Sequence, residues 1–136
     1  MAGGRKNNLL KYNSIVNGAM TSTSSLTSTV TDIQFLDDIG YQFNWTGSPT
    51  GTIAIQVSAD YAVDFNGNVT NAGNWIPLVF TYWNGSIFVT ATSIPTSVGS
   101  PVYLDLALLS SPYIRAVYTN SAGSGTLNAF ITGKQV

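Results

Sequence analysis

Between Ile39 and Thr46 the chain reads IGYQFNWT, with Tyr41, Phe43 and Trp45 alternating against Gln42 and Asn44. A period of two puts the three rings on one side of a pleated backbone and the amides on the other, which is the pattern of a strand with one buried face. The pattern recurs. Ile53, Ile55 and Val57 alternate with Ala54 and Gln56 in TIAIQVSA, Leu104, Leu106 and Leu108 share a face in PVYLDLALL, and YIRAVYT and TLNAFITG repeat it further on. No stretch sustains a helical period. Roughly seven to nine short strands separated by turn signals predict an all-β chain, a single antiparallel β-sandwich or jelly-roll-like domain with helix near zero.

The turns refine that expectation. GSPTG at 47–51 reads as a five-residue connection closing an antiparallel hairpin, and NSAGSG reads as the turn of a last hairpin between YIRAVYT and TLNAFITG. Asn66-Gly67 and Asn84-Gly85 each suit a type I′ turn. The second pair lies between VFTYW and SIFVT and predicts the strongest hairpin, whereas the first lies in the polar DYAVDFNGNVTNAGN and predicts a decorated loop. TSTSSLTSTVT at 21–31 suits an edge strand or an ordered linker. Residues 1–14 are polar and aperiodic and read as a flexible N-terminal arm, leaving 15–136 as the sandwich.

At 136 residues the chain is long enough for one core and short for two. Charged residues are only 8% of it, against roughly a quarter in soluble proteins at large, so its surface is built from Ser, Thr, Asn, Gln and Gly. Arg5, Lys6 and Lys11 hold three of the five positive charges, and from residue 12 onward two positive charges face six negative ones. A mildly basic arm on an acidic body suits docking, and Arg5, Lys6, Leu9, Leu10 and Tyr12 are the candidate assembly contacts. Three clustered charges fall short of a nucleic-acid footprint, so no nucleic acid is expected as a partner. No apolar run approaches a membrane span, and MAGGRKNNLLKYN lacks the apolar core of a signal peptide. The expected site of synthesis is a cytoplasm, with exit inside a particle or by lysis.

Chemistry narrows further. The chain has no Cys, no His and no Glu. Disulfides, thiolate nucleophiles and Ser-His-Asp triads are excluded, and the commonest zinc ligands are missing. No enzyme activity, cofactor or metal is expected. Within the run from Asp60 to Asn68, the spacing from Asp64 starts like a calcium loop but has Val69 at its sixth position and Trp75 at its twelfth, where Gly and Glu are needed. Turn chemistry accounts for it better. Exposed Trp75 and Trp83, with Asn and Asp from the 60–75 loop, are the alternative reading: a carbohydrate-binding module whose rings stack on sugars. Arg115 is expected to be partly buried and bonded to Asp60 or Asp105 in a structural ion pair, or to backbone carbonyls.

PYIRAVYTNSAGSGTLNAFITGK, taken with GTIAIQVSADY and GNWIPLVF, resembles small structural proteins of tailed bacteriophages. The residues that carry the resemblance are Ser58 and Asp60, Trp75 and Leu78, Tyr113 to Arg115, Gly123 to Thr126, and Gly133-Lys134. It spans roughly residues 26–134 and implies a β-sandwich of the head-decoration, head-fibre-base or tail-accessory type. The partners it implies are the major capsid or other virion proteins and further copies of the chain. Its implied location is the virion, assembled in the host cytoplasm.

Overall fold

The computed structural model describes residues 9–21, 25–107 and 109–135. Two antiparallel sheets face each other. The first runs in the order β1 (Leu9–Met20), β14 (Gly125–Lys134), β4 (Asp38–Gly47), β12 (Val102–Ala107). The second runs β11 (Ser93–Pro95), β5 (Thr50–Ser58), β13 (Tyr113–Ala122), β2 (Ser25–Thr27), with β3 (Thr31–Asp32) continuing along β13 and β8 (Ile76–Pro77) along β5. Two small hairpins stand outside these sheets: β6 (Ala62–Val63) with β7 (Val69–Asn71), and β9 (Phe80–Trp83) with β10 (Phe88–Ala91). A 3-10 turn over Thr96–Val98 is the helical element among the described residues. The fold is an all-β sandwich, as the alternating sequence leads one to expect.

The alternation fills the space between the sheets. Ile39, Tyr41 and Phe43 of β4, Val102, Leu104 and Leu106 of β12, and Leu127, Ala129 and Ile131 of β14 are buried. Opposite them lie Ile53 and Ile55 of β5, Ile114, Ala116 and Tyr118 of β13, and Ile94 of β11, also buried. Each large side chain so removed from water contributes about 1.5–3 kcal/mol. Tyr41 and Phe43 stack at 5.5 Å between ring centres, while Trp45 packs at the core's margin.

The two long hairpins expected around turns at 47–51 and 120–125 do not form, because each chain segment changes sheet at its glycines. β4 lies in the first sheet and β5 in the second; β13 lies in the second and β14 in the first. What pairs instead is one long ribbon. It runs from Asp38↔Lys134 to Gly47↔Gly125 in the first sheet and resumes from Thr50↔Ala122 to Ser58↔Tyr113 in the second. The ribbon folds over the end of the sandwich, which is jelly-roll construction. At the fold line the two backbones crowd together: a Cβ on Gly125 would stand 2.0 Å from the Thr46 carbonyl oxygen, and one on Gly123 would stand 2.2 Å from that of Ser48. Glycine suits such a corner for the same reason it suits a hairpin turn, so the residues alone do not distinguish the two. Thr96 braces the corner, its hydroxyl donating to the Pro49 carbonyl at 3.0 Å and accepting from the Gly51 N–H at 3.1 Å.

The N-terminal boundary also moves. Leu9 to Ser14 belong to β1, paired with β14 from Leu9↔Lys134 onward, so the sandwich begins before residue 15.

Candidate assembly surface

Arg115 sits on the outer face of the second sheet, directly opposite Gln56 in the register of β13 with β5. Its Nε donates to Gln56 Oε1 at 2.8 Å, and its guanidinium lies 4.2 Å from the centre of the Trp75 ring. Partial burial holds its pKa below the ordinary value, although a guanidinium stays charged at any physiological pH. Trp75 is in turn flanked by Tyr61 at 5.7 Å, which meets Tyr113 at 5.0 Å, and its indole N–H donates to the Ala72 carbonyl at 3.0 Å. The partner expected for Arg115 is therefore replaced. Among the described residues it makes no ion pair with Asp60 or Asp105. Asp105 lies on β12 in the other sheet, opposite Gly40. Asp60 is engaged elsewhere: its carboxylate accepts from the Asn74 N–H and amide, both at 2.7 Å, and from Ser58 Oγ at 2.9 Å. The Asn74 N–H, then its amide, then the Ser58 hydroxyl hold that carboxyl below its usual range.

These contacts clasp the 60–75 loop onto the sheet through an aromatic-cation stack. They occupy Trp75 within the domain and leave less of its ring for a sugar than the sequence suggests. The neighbouring Asp64 closes its own turn, accepting from the backbone N–H groups of Asn66 and Asn68, each at 2.9 Å. Among the described residues no group of three or more His, Cys, Asp or Glu could hold a metal ion.

Of the candidate arm contacts, Arg5 and Lys6 lie outside the described residues, as does the Leu9 side chain. Leu10 and Tyr12 are half-buried in β1 and pack against the core, and the Tyr12 hydroxyl is hydrogen-bonded to that of Thr31. Those two residues serve the sandwich itself.

The β9–β10 hairpin presents the opposite situation. Its inner face buries Phe80 and Tyr82. Its outer face carries Trp83 and Phe88, paired across the strands with ring centres 5.0 Å apart and 53% and 70% exposed. Ile87 in the loop is 61% exposed, and Val79 and Ile76 in the preceding segment are also exposed. The loop is longer than the two-residue I′ turn expected: Trp83 pairs with Phe88, so 84–87 form the connection, and Gly85 alone in it has a positive φ, 103°. Asn84 Oδ1 accepts from the N–H groups of Ser86 and Ile87, both at 2.9 Å, which ties the loop. A solvated outer face carries polar residues, as Thr81 and Thr90 do two pairs further along, their hydroxyls 3.2 Å apart. In VFTYWNGSIFVT, the aromatic at an outward position on both strands was the signal for this patch.

The fold is shared with a known structure. The chain is similar to the SPBc2 prophage-derived protein YomS, with a TM-score of 0.58 and 13% identity over 92% of this chain and 93% of that one. Weaker likenesses are to a chain of infectious bursal disease virus Gx strain, at a TM-score of 0.35 and 14% identity over 94% of this chain and 32% of that one, and to the VP2 subviral particle of that virus, at 0.25 and 10% over 95% and 41%. No protein-family model matches the chain, and no curated protein matches its sequence.

Proposed function

We propose that this chain is a non-enzymatic structural protein of a bacteriophage virion, of the capsid decoration or accessory type, present in several copies. It is held by contacts with the major capsid or other virion proteins and with further copies of itself. The observation that carries this reading is the outward Trp83–Phe88 pair with Ile87. Contiguous apolar surface on a soluble domain marks an interaction site, and aromatic residues are the side chains on which protein–protein binding energy concentrates. The hairpin is braced by its own loop bonds and by the buried Phe80 and Tyr82, so the patch is offered ready-made and loses little conformational freedom on docking.

The likeness of the fold to a prophage-derived protein supports placing the partner surface in a phage particle. The absence of His, Cys and Glu supports a role without chemistry, since the serines have no histidine base beside them and no thiolate nucleophile can form. A stable interface buries roughly 1,200–2,000 Å² in total, more than one aromatic pair supplies. Arg5 and Lys6 add a second point of attachment in this proposal. Assembly takes place in the host cytoplasm and the protein leaves within the particle. Mass spectrometry of purified particles from a culture that carries the gene tests the reading. The chain is expected among the virion proteins in multiple copies, and its absence from every particle preparation would defeat the proposal.

A further inference from the structure

On the outer face of the first sheet, directly paired positions form a row across all four strands: Lys11 opposite Thr132, Thr132 opposite Gly40, and Gly40 opposite Asp105. Gly40 has no side chain to raise the floor, and Tyr103 leans across it, its hydroxyl 2.0 Å from where a Cβ on Gly40 would stand. Tyr103 is 54% exposed, so it keeps a broad surface towards solvent. The result is a trough of about 400 Å³, within the range of small-ligand sites, with Ala107 adding apolar wall. Asp38 and Lys134, paired in the neighbouring row, complete its rim.

The rim is chemically selective. Carboxylates only accept hydrogen bonds and ammonium groups only donate them, and the trough holds two of each. A hydroxyl does both. An anionic ligand would face Asp38 and Asp105, and a cationic one would face Lys11 and Lys134. A peptide would look for unpaired backbone groups, which a sheet face lacks. A neutral ring bearing several hydroxyls, with an apolar face to lie against Tyr103, satisfies every element together. We propose that this trough is a saccharide-binding site for a neutral sugar ring stacked on Tyr103, with Asp105 and Asp38 accepting from its hydroxyls and Lys11 and Lys134 donating to them. It is a different place from Trp75 and Trp83, and it lies on paired strands, which hold a site more rigidly than loops do. The proposal does not depend on the virion reading.

Amide chemical shifts of the full chain, titrated with lactose, maltotriose and N,N′-diacetylchitobiose, test it, with glucosamine and glucuronate as charged counterparts. At least one neutral saccharide should shift the amides of Gly40, Tyr103, Thr132 and Gly133 and do so more than either charged sugar. Tyr103→Ala should weaken that binding about tenfold or more, the equivalent of about 1.4 kcal/mol. Asp105→Ala, on an exposed position that leaves the core untouched, should weaken it severalfold and guards against a folding defect in the first variant. No response of these amides at about 20 mM of any neutral sugar, a response centred on Trp83, or binding that survives both substitutions would overturn the proposal.

Discussion

The aromatic residues of β4 and those of the β9–β10 hairpin arise from the same sequence signal and meet opposite fates. Tyr41 and Phe43 alternate with polar residues and are sealed between two sheets. Phe80 and Tyr82 alternate in the same way and are buried, yet Trp83 and Phe88 occupy the positions that polar residues hold in β4 and stand in solvent. β4 has a sheet partner on each side and a second sheet over its apolar face, so its outward positions are free to be amides. The hairpin has only its own two strands and one side to bury, so aromatics on its other face give the fold no more than their contact with each other across the strands. An aromatic that folding does not require is best explained by a partner, and the comparison is open to test at each of its points.

The buried side should respond most. Phe43→Ala removes a fully buried ring from the centre of the sandwich and should cost about 3–5 kcal/mol, read as a lowered denaturation midpoint. Gly125→Ala comes next, because the added methyl meets the rigid Thr46 carbonyl at the fold line of the ribbon; a loss of about 1–3 kcal/mol is expected in the same measurement. A loss no greater than at an exposed glycine would show that the corner is not constrained as described.

Alkaline pH probes the core without any substitution. Burial raises the Tyr41 phenol well above its ordinary value, so the folded state keeps the proton where the unfolded chain, with a phenol near pH 10, gives it up. The stability contributed by this group is complete below about pH 10 and declines above it by about 1.4 kcal/mol per pH unit. Urea titrations between pH 9 and 11 should show the decline, and Tyr41→Phe should remove its share of it. Burial raises Tyr118 in the same direction.

Between the two extremes lies the clasp. Trp75 is neither sealed in the core nor free, and Arg115→Met, which keeps the stem but loses the bond to Gln56 and the charge over the ring, should cost only about 1 kcal/mol. Its clearest effect should be faster amide hydrogen exchange within 60–75, with the core strands unchanged. Loss of protection spread evenly over the molecule would show that Arg115 acts on the whole fold instead.

Much of the fold was legible from Tyr41, Phe43, Ile53, Ile55, Leu104, Leu106, Leu127 and Ile131, because alternation reports which face of a strand is buried whatever that strand pairs with. Partner choice was not. Gly47, Gly51, Gly123 and Gly125 permit a sharp change of direction, but whether the chain turns back on itself or crosses to the opposite sheet is decided by β4 meeting β14 and β5 meeting β13, which are far apart in sequence. The same long-range register hid the partner of Arg115. An acid was the natural expectation for a semi-buried guanidinium, yet the facing position belongs to Gln56, and the loop supplies a tryptophan. Trp83 was singled out from the sequence as a candidate exposed ring. Tyr103 was not, because its trough exists only where Gly40 on a neighbouring strand leaves room for it.

The smallest expected effect on stability belongs to the outward pair, and it carries the central claim. Trp83→Ser with Phe88→Ser should lower the stability by no more than about 1 kcal/mol, because both rings are largely exposed and what they lose is chiefly their contact with each other. Incorporation of this double variant into particles, measured against wild-type chain by quantitative mass spectrometry of purified virions, is the most direct test. The account predicts a folded protein that is lost from the particle; undiminished incorporation of the folded variant would contradict it.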